Sequence, residues 1–142
     1  MRRHSILIID DEKEILRSLT LTFEDEYEVF TAANGIEALK ILEQNNIALV
    51  ISDQRMPEMT GVEFLERSIH VNPQMIRIIL TGYTDTSALI QAINQGHIYQ
   101  YLTKPWNRQE LKTLVKRALE SYELTLENQR LLHALQTANA QL

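Results

Sequence analysis

The chain has no cysteine and few of the residues that interrupt secondary structure, with three prolines and four glycines in 142 residues. Without cysteine it has no disulfide framework, no thiol nucleophile and no zinc–thiolate site, which suits a reducing compartment, so we expect a cytoplasmic protein. The longest uninterrupted apolar run, residues 47–51, has five residues, whereas a membrane-spanning helix needs about 20. We therefore expect no membrane association and no secretory signal peptide.

Basic charge is also scarce, because 14 Lys and Arg residues stand against 19 Asp and Glu residues, for a net charge of −5. The part up to Trp106 carries −6 and the part after it +1. A surface that binds a nucleic-acid duplex needs a basic stripe, so we expect no nucleic-acid binding by this chain alone. With 44% hydrophobic and 23% charged residues, the composition is that of one globular domain.

Short segments rich in β-branched residues recur along the chain and predict five strands. The predicted strands are residues 5–9, 28–32, 48–52, 76–80 and 98–102. Their nearly continuous apolar character is typical of strands buried on both faces of a parallel sheet. Apolar residues at helical spacing lie between them, as Ile15, Leu19 and Phe23 do at i, i+4 and i+8. Strict alternation of strand and helix predicts a doubly wound α/β sheet with right-handed crossovers.

The C-terminal part predicts an extended helix. From Asn107 onwards the chain has neither Gly nor Pro, which leaves 36 residues of potential helix, more than the roughly ten to 14 that cover a sheet of this size. An apolar stripe through residues 111, 115, 119, 122 and 126 faces the sheet in this prediction. We therefore expect a globular domain of residues 1–122 and a helical extension of residues 123–142.

The extension has a second apolar stripe with heptad spacing. Its members lie 4, 3, 4, 3 and 4 residues apart and are Leu124, Asn128, Leu131, Leu135, Ala138 and Leu142. This is the a/d pattern of a coiled coil, in which a single polar residue such as Asn128 fixes the register. The pattern favours a homodimer through the C-terminal helix. The alternative, that about three heptads are too few and the tail frays, stays open.

Residues able to carry chemistry follow four of the predicted strands. They are Asp10 and Asp11 after the first, Asp53 after the third, Thr81 after the fourth and Lys104 after the fifth. Ligands of open α/β sheets bind beyond the carboxyl ends of the strands, so we expect these side chains to share one pocket. Neighbouring carboxylates need charge compensation, and the expected cation is Mg²⁺. A single Asp after a strand is also commonly a helix N-cap or a turn residue.

Four ordered motifs surround these residues. They are residues 8–12 (IIDDE), 53–61 (DQRMPEMTG), 80–82 (LTG) and 102–105 (LTKP). Together they resemble the receiver domain of two-component response regulators, and the resemblance covers residues 5 to about 122. It implies a flavodoxin-like fold with strand order 2-1-3-4-5. It also implies that a sensor histidine kinase passes the phosphoryl group of a phosphohistidine to an aspartate, which is Asp53 in this sequence.

The same resemblance assigns a role to each residue of the set. Asp53 is the nucleophile and forms an aspartyl phosphate. The implied Mg²⁺ ligands are the carboxylates of Asp10, Asp11 and Asp53 and the backbone carbonyl of Arg55. Lys104 supplies a cation, and the Thr81 hydroxyl donates a hydrogen bond to a phosphoryl oxygen. We expect a cis Lys104–Pro105 peptide bond, which directs the lysine into the pocket.

Two further roles are implied for the residues around the site. In this family Thr81 moves toward the phosphoryl group while an aromatic on the fifth strand turns inward, which is Tyr101 here, with Tyr99 as the alternative. Tyr101 as an ordinary half-buried strand tyrosine also stays open. The surface that changes comprises the fourth helix, the fifth strand and the fifth helix. Arg55 and Tyr83 border the path of the water that hydrolyses the phosphoryl group, so we expect them to slow its loss.

Other functions stay open at this point. A Mg²⁺-dependent phosphohydrolase of the haloacid-dehalogenase type also uses an aspartate nucleophile, but it has a second acid two residues later, where this chain has Arg55. A third possibility is a receiver that no longer accepts phosphate and serves only as an interaction module. Such a module does not need the full set of site residues, which this chain retains at positions 10, 11, 53, 81 and 104. We expect no enzyme activity beyond the domain's own phosphorylation and slow dephosphorylation. The chain is either a stand-alone receiver or the front of a protein with an output domain after Leu142, and the helical tail favours the second.

Overall fold

A computed structural model describes residues 3–82, 86–95 and 97–140. Strands and helices alternate along the chain as predicted. Their order is β1 Ser5–Ile9, α1 Lys13–Phe23, β2 Glu28–Ala32, α2 Gly35–Gln44, β3 Leu49–Asp53, α3 Gly61–Val71, β4 Ile76–Thr81, α4 Thr86–Asn94, β5 Gln100–Thr103 and α5 Arg108–Ala140. The strands form a parallel five-stranded sheet of order β2-β1-β3-β4-β5. This confirms the doubly wound, flavodoxin-like fold.

The strand bounds depart from the prediction at the carboxyl ends of β3, β4 and β5. Asp53 pairs with Leu80, and Thr81 pairs with Thr103, so these polar residues belong to the strands rather than follow them. The apolar pattern ends before the hydrogen-bonded ladder ends. At the other end of β5, Ile98 is buried but lies outside the ladder, because burial and strand pairing are separate properties.

Alternate residues of the central strands face two apolar layers. Leu7 and Ile9 pack with the helices α2, α3 and α4, whereas Ile6 and Ile8 pack with α1 and α5. All four side chains are fully buried, and burial of such a side chain stabilises the fold by about 1.5–3 kcal/mol. The two layers hold the sheet rigidly, so the ends of β1, β3, β4 and β5 have fixed relative positions.

Side-chain caps begin α2 and α3. The Asn34 side chain accepts a hydrogen bond from the amide of Glu37 at 2.8 Å, and the Thr60 hydroxyl accepts one from the amide of Glu63 at 3.2 Å. A cap of this kind stabilises a helix by about 1 kcal/mol. Each of these two helices therefore begins at a glycine that directly follows its capping residue.

The helix α5 has 33 residues and extends beyond the sheet, as predicted. Leu111, Val115 and Leu119 are buried against the sheet, and Leu126 is the last of this stripe to contact it. Where the helix leaves the sheet, Nε2 of His4 lies 2.7 Å from Oε1 of Glu123. Beyond that point the leucine side chains at 131, 132 and 135 are exposed. Within the described ranges no helix is both long and apolar enough to cross a membrane.

Candidate metal centre

Three carboxylates meet at the carboxyl edge of the sheet. Asp10 and Asp11 come directly after β1, and Asp53 is the last residue of the neighbouring strand β3. One oxygen from each of the three side chains lies within 4.8 Å of the others. The convergence predicted from the strand ends is therefore confirmed for these acids.

The protein holds two of these carboxylates in place by hydrogen bonds. Oδ1 of Asp10 accepts from the amide of Glu12 at 2.9 Å, and Oδ1 of Asp53 accepts from the amide of Gln54 at 2.9 Å. Asp10 is buried and Asp53 is 9% exposed, whereas Asp11 is exposed. Two acids are thus fixed in the floor of the site and the third reaches solvent at its rim.

Lys104 contacts both buried acids. Its Nζ donates to Oδ2 of Asp10 at 3.1 Å and to Oδ1 of Asp53 at 3.2 Å. Burial alone lowers the pKa of Lys104, but its hydrogen bonds and charge interactions with the two acids outweigh burial and raise the pKa. The lysine is therefore a firmly protonated cation between the ends of β1 and β3.

The electrostatics of the site suit a divalent cation. Burial raises the pKa of Asp53, the neighbouring Asp10 raises it further, and Lys104 offsets only part of this increase. Three carboxylates outnumber one ammonium group, so the site has an excess of negative charge. All the offered donors are hard oxygens at short range, which is the ligand set of Mg²⁺ rather than of a soft metal. The residues present therefore fit a magnesium ion.

Thr81 ends the adjacent strand β4 and is 1% exposed. Its carbonyl accepts a hydrogen bond from the amide of Lys104 at 2.7 Å, which ties the end of β4 to the residue that follows β5. The Lys104–Pro105 peptide bond is cis, as predicted. The structure therefore brings Thr81 and Lys104 to the same edge as the three acids.

Four residues were predicted to take part in switching or hydrolysis, and the structure describes three of them. Tyr101, in β5, is half-buried and packs against the apolar layer that contains α4. Tyr99 precedes β5 and is exposed. Arg55 is exposed in the loop after β3, and Tyr83 lies outside the described residues. The roles predicted for these four residues stay predictions.

Sequence reasoning missed two residues next to Asp53. Gln54 is 5% exposed, and its side chain bonds to the first turn of α3. A Cβ on Gly61 would lie 2.3 Å from the carbonyl oxygen of Asp53, so only glycine fits where α3 begins. Gln54 interrupts no periodic pattern, and the sequence gives no signal for its contact because that contact depends on how the loop folds back.

Comparison with known proteins places the chain among signalling domains. The family model for the response regulator receiver domain matches residues 6–116. The hydrogenase transcriptional regulatory protein HoxA of Cupriavidus necator is 35% identical, over 96% of this chain and 28% of HoxA. The chain therefore spans less than a third of that relative.

Solved structures agree with this placement. A CheY-like response regulator receiver domain protein from Methanospirillum hungatei superimposes with a TM-score of 0.83 at 33% identity, over 87% of this chain and 99% of that one. The signal receiver domain of an HD domain-containing protein from Pseudomonas fluorescens gives a TM-score of 0.82 at 37% identity, over 86% and 98%. With the family match, the shared fold and the clustered acids, the chain belongs to the response regulator receiver domain family.

Proposed function

We propose that this receiver domain accepts a phosphoryl group on Asp53 from the phosphohistidine of a sensor histidine kinase. A Mg²⁺ ion would be held by the carboxylates of Asp10, Asp11 and Asp53 and by the backbone carbonyl of Arg55. The observation that carries the proposal is the position of the Asp53 carboxylate, 3.2 Å from the Lys104 ammonium and within 4.8 Å of two other acids. A nucleophile that attacks an anionic phosphoryl group needs positive charge close by. Lys104 supplies part of this charge, and a metal ion held by the acids would supply the rest.

The chemistry is a transfer between two nucleophiles. A carboxylate oxygen of Asp53 attacks phosphorus, the bond from phosphorus to the histidine nitrogen breaks, and the imidazole leaves with the electron pair. The metal neutralises charge on the phosphoryl oxygens. Lys104 binds a phosphoryl oxygen from the opposite side, and the Thr81 hydroxyl donates to another. Each domain undergoes one transfer and then slow hydrolysis, so it acts as a switch rather than as a turnover enzyme.

In this proposal a conformational change spreads from Thr81 to the surface formed by α4, β5 and α5. Thr81 pairs with Thr103, and Ile79 of the same strand pairs with Tyr101, so β4 and β5 share a continuous ladder from the site to the aromatic. Movement of Thr81 toward the phosphoryl group therefore bears directly on Tyr101. The changed surface controls an output domain or a protein partner. That HoxA, in which the matched region is 28% of the length, is a transcriptional regulatory protein supports an output domain.

The domain boundary follows from the burial pattern of α5. Tyr122 is buried and Leu126 still contacts the apolar layer, whereas Leu124 and Leu131 are exposed. We therefore assign residues 1–122 to the receiver and residues 123–142 to a helical extension that pairs with a second copy of the chain.

Replacement of Asp53 tests the phosphoacceptor. Asp53→Asn abolishes labelling by acetyl phosphate in Mg²⁺ while the far-ultraviolet circular dichroism stays that of the wild type. Asp25→Asn is the matched control, because Asp25 is an exposed acid between α1 and β2, and it labels normally. Undiminished acyl-phosphate labelling of Asp53→Asn contradicts the assignment.

Replacement of Asp11 tests the metal. Asp11→Ala weakens Mg²⁺ binding in calorimetric titration because a carboxylate ligand is lost. Wild-type affinity in this variant places the ligands elsewhere.

A phosphate-release assay tests whether the domain is a switch or a turnover enzyme. Many rapid releases of phosphate for each chain, rather than one slow release, contradict the assignment as a switch.

A further inference from the structure

One side chain closes the loop between β3 and α3, and it belongs to Gln54. The backbone carbonyl of Gln54 accepts a hydrogen bond from the amide of Gly61 at 2.9 Å. Its side-chain Oε1 accepts one from the amide of Val62, also at 2.9 Å. The third amide of α3, that of Glu63, bonds to Thr60 instead. Gln54 therefore satisfies two of the amides at the start of α3 that have no partner within the helix.

The position of this cap in the chain is informative. A helix is usually capped by the residue directly before it, whereas Gln54 is eight residues before Val62 and directly after Asp53. The amide of Gln54 also donates to Oδ1 of Asp53 at 2.9 Å. One residue thus bonds both to the carboxylate of the proposed nucleophile and to the first turn of α3.

The start of α3 lies against the backbone of the proposed nucleophile. A Cβ added to Gly61 would lie 2.3 Å from the carbonyl oxygen of Asp53, so the two backbones are in close contact. Because protein interiors are closely packed, a shift of the first turn of α3 acts on the end of β3. The hydrogen bond from the amide of Val62 ties that turn to the side chain of Gln54, the residue directly after Asp53.

The loop that Gln54 closes contains Arg55, whose carbonyl belongs to the proposed metal site. Met56 and Met59 anchor the middle of this loop in the apolar layer under α3. Between them Glu58 has a left-handed backbone conformation, with φ of 71°, which is unfavourable for a residue with a side chain. The amide of Met59 donates a hydrogen bond to the carbonyl of Pro57 at 2.8 Å across Glu58, and Gln54 directly precedes Arg55 in the chain.

We propose that Gln54 is a positioning residue for metal binding and phosphoryl transfer. Its side chain holds the first turn of α3 against the end of β3, and thereby fixes the backbone at Arg55 and the carboxylate of Asp53. This inference rests on the proposed function of Asp53 and its metal. It predicts that loss of one hydrogen-bond acceptor, at an atom that contacts neither metal nor phosphate, weakens both steps.

Two replacements separate the acceptor from the volume of the side chain. Gln54→Met keeps the length and removes the acceptor, whereas Gln54→Glu keeps an acceptor for the amide of Val62. We expect hydrogen exchange at that amide to rise about fivefold in Gln54→Met, the loss of one ordinary hydrogen bond, and to stay at the wild-type rate in Gln54→Glu. In calorimetric titration, Gln54→Met binds Mg²⁺ more weakly, by up to the same fivefold factor. Labelling by acetyl phosphate at saturating Mg²⁺ slows in Gln54→Met as well.

Thr60→Val is the matched control, because it removes the other cap of α3 and leaves the bonds of Gln54 in place. It raises exchange at the amide of Glu63 and leaves Mg²⁺ affinity unchanged. Equal losses of affinity in Thr60→Val and Gln54→Met overturn the proposal, because fraying of α3 then explains both. Wild-type exchange or wild-type affinity in Gln54→Met overturns it too. Failure of the proposed function has a different result, in which the wild-type chain itself is not labelled on Asp53.

Discussion

Nζ of Lys104 lies 3.2 Å from Oδ1 of Asp53. The same ammonium group lies 3.1 Å from Oδ2 of Asp10, so the lysine bridges the two buried acids of the site. A metal ion at this site would bind carboxylates that the lysine already neutralises in part. Lys104 would therefore repel the metal electrostatically, although in the proposed function both stabilise the phosphoryl group.

Replacement of Lys104 is expected to have opposite effects on metal binding and on phosphoryl transfer. We expect Lys104→Met to bind Mg²⁺ at least tenfold more tightly, because two unit charges about 4 Å apart repel by roughly 1–4 kcal/mol and Mg²⁺ carries two charges. Labelling by acetyl phosphate becomes slower, since the cation that binds the phosphoryl oxygen is lost. Lys112→Met is the control, because Lys112 pairs with Glu26 on the surface, and both measurements stay unchanged there. Weaker Mg²⁺ binding in Lys104→Met contradicts this interpretation.

The raised pKa of Asp53 predicts a cost to stability in the metal-free protein. An acid whose pKa is higher in the folded state stabilises the fold below its unfolded pKa, and loses that contribution as the pH rises through the folded pKa. Each unit of increase lowers the free energy of unfolding by about 1.4 kcal/mol at neutral pH. We therefore expect Asp53→Asn to be more stable than the wild type in urea denaturation at pH 7 with a chelator.

This gain disappears below about pH 4, where the wild-type carboxyl group is itself protonated in both states. Saturating Mg²⁺ at pH 7 also reduces the difference in free energy of unfolding between Asp53→Asn and the wild type, because it stabilises the wild type more than the variant. A variant that is less stable than the wild type at pH 7 without metal contradicts the burial argument.

Arg55 is exposed in the loop after β3, two residues after Asp53, and a long cation there can screen the acyl phosphate from water. We expect the double replacement Arg55→Ser and Tyr83→Ser to shorten the half-life of the phosphorylated domain several-fold, because exclusion of water slows hydrolysis. Arg67→Ser, an exposed arginine on α3, is the control and leaves the half-life unchanged. Equal half-lives in the double variant and the wild type remove the screening role.

The exposed leucines of α5 allow a closely matched test of the coiled coil. Leu131 lies on the predicted seam and Leu132 lies beside it, and they are 58% and 57% exposed. Because their exposure is equal, Leu131→Glu and Leu132→Glu affect the monomer alike. We expect Leu131→Glu to lower dimerisation far more than Leu132→Glu in sedimentation equilibrium.

Truncation after Tyr122 provides the second arm of that test. The chain of residues 1–122 stays monomeric where the full chain associates, with and without a phosphoryl mimic. Equal association of both lengths places the dimer contact on the receiver surface and contradicts the coiled coil.

The sequence predicted the topology and the clustering of polar side chains at one edge of the sheet because both follow from where apolar strands end. Asp53 and Lys104 are 51 residues apart, yet parallel strands bring them to one edge regardless of the loops between. Strand bounds were less accurate at Asp53 and Thr81, because the ladder includes polar residues that no apolar pattern marks. The cap by Gln54 was beyond prediction, since it depends on a loop of irregular backbone that returns to its own start.

The length of α5 turns small angular changes into large displacements. Beyond Tyr122 the helix continues through residues 123–140, about 27 Å at a rise of 1.5 Å per residue. Each degree of tilt at Tyr122 then moves the far end by about 0.5 Å. A tilt of a few degrees, too small to disturb the packing of the sheet, shifts that end by more than the rise of one residue. If the proposed switch tilts α5, the extension would act as a lever arm, and its length would set how far the end moves for a given tilt.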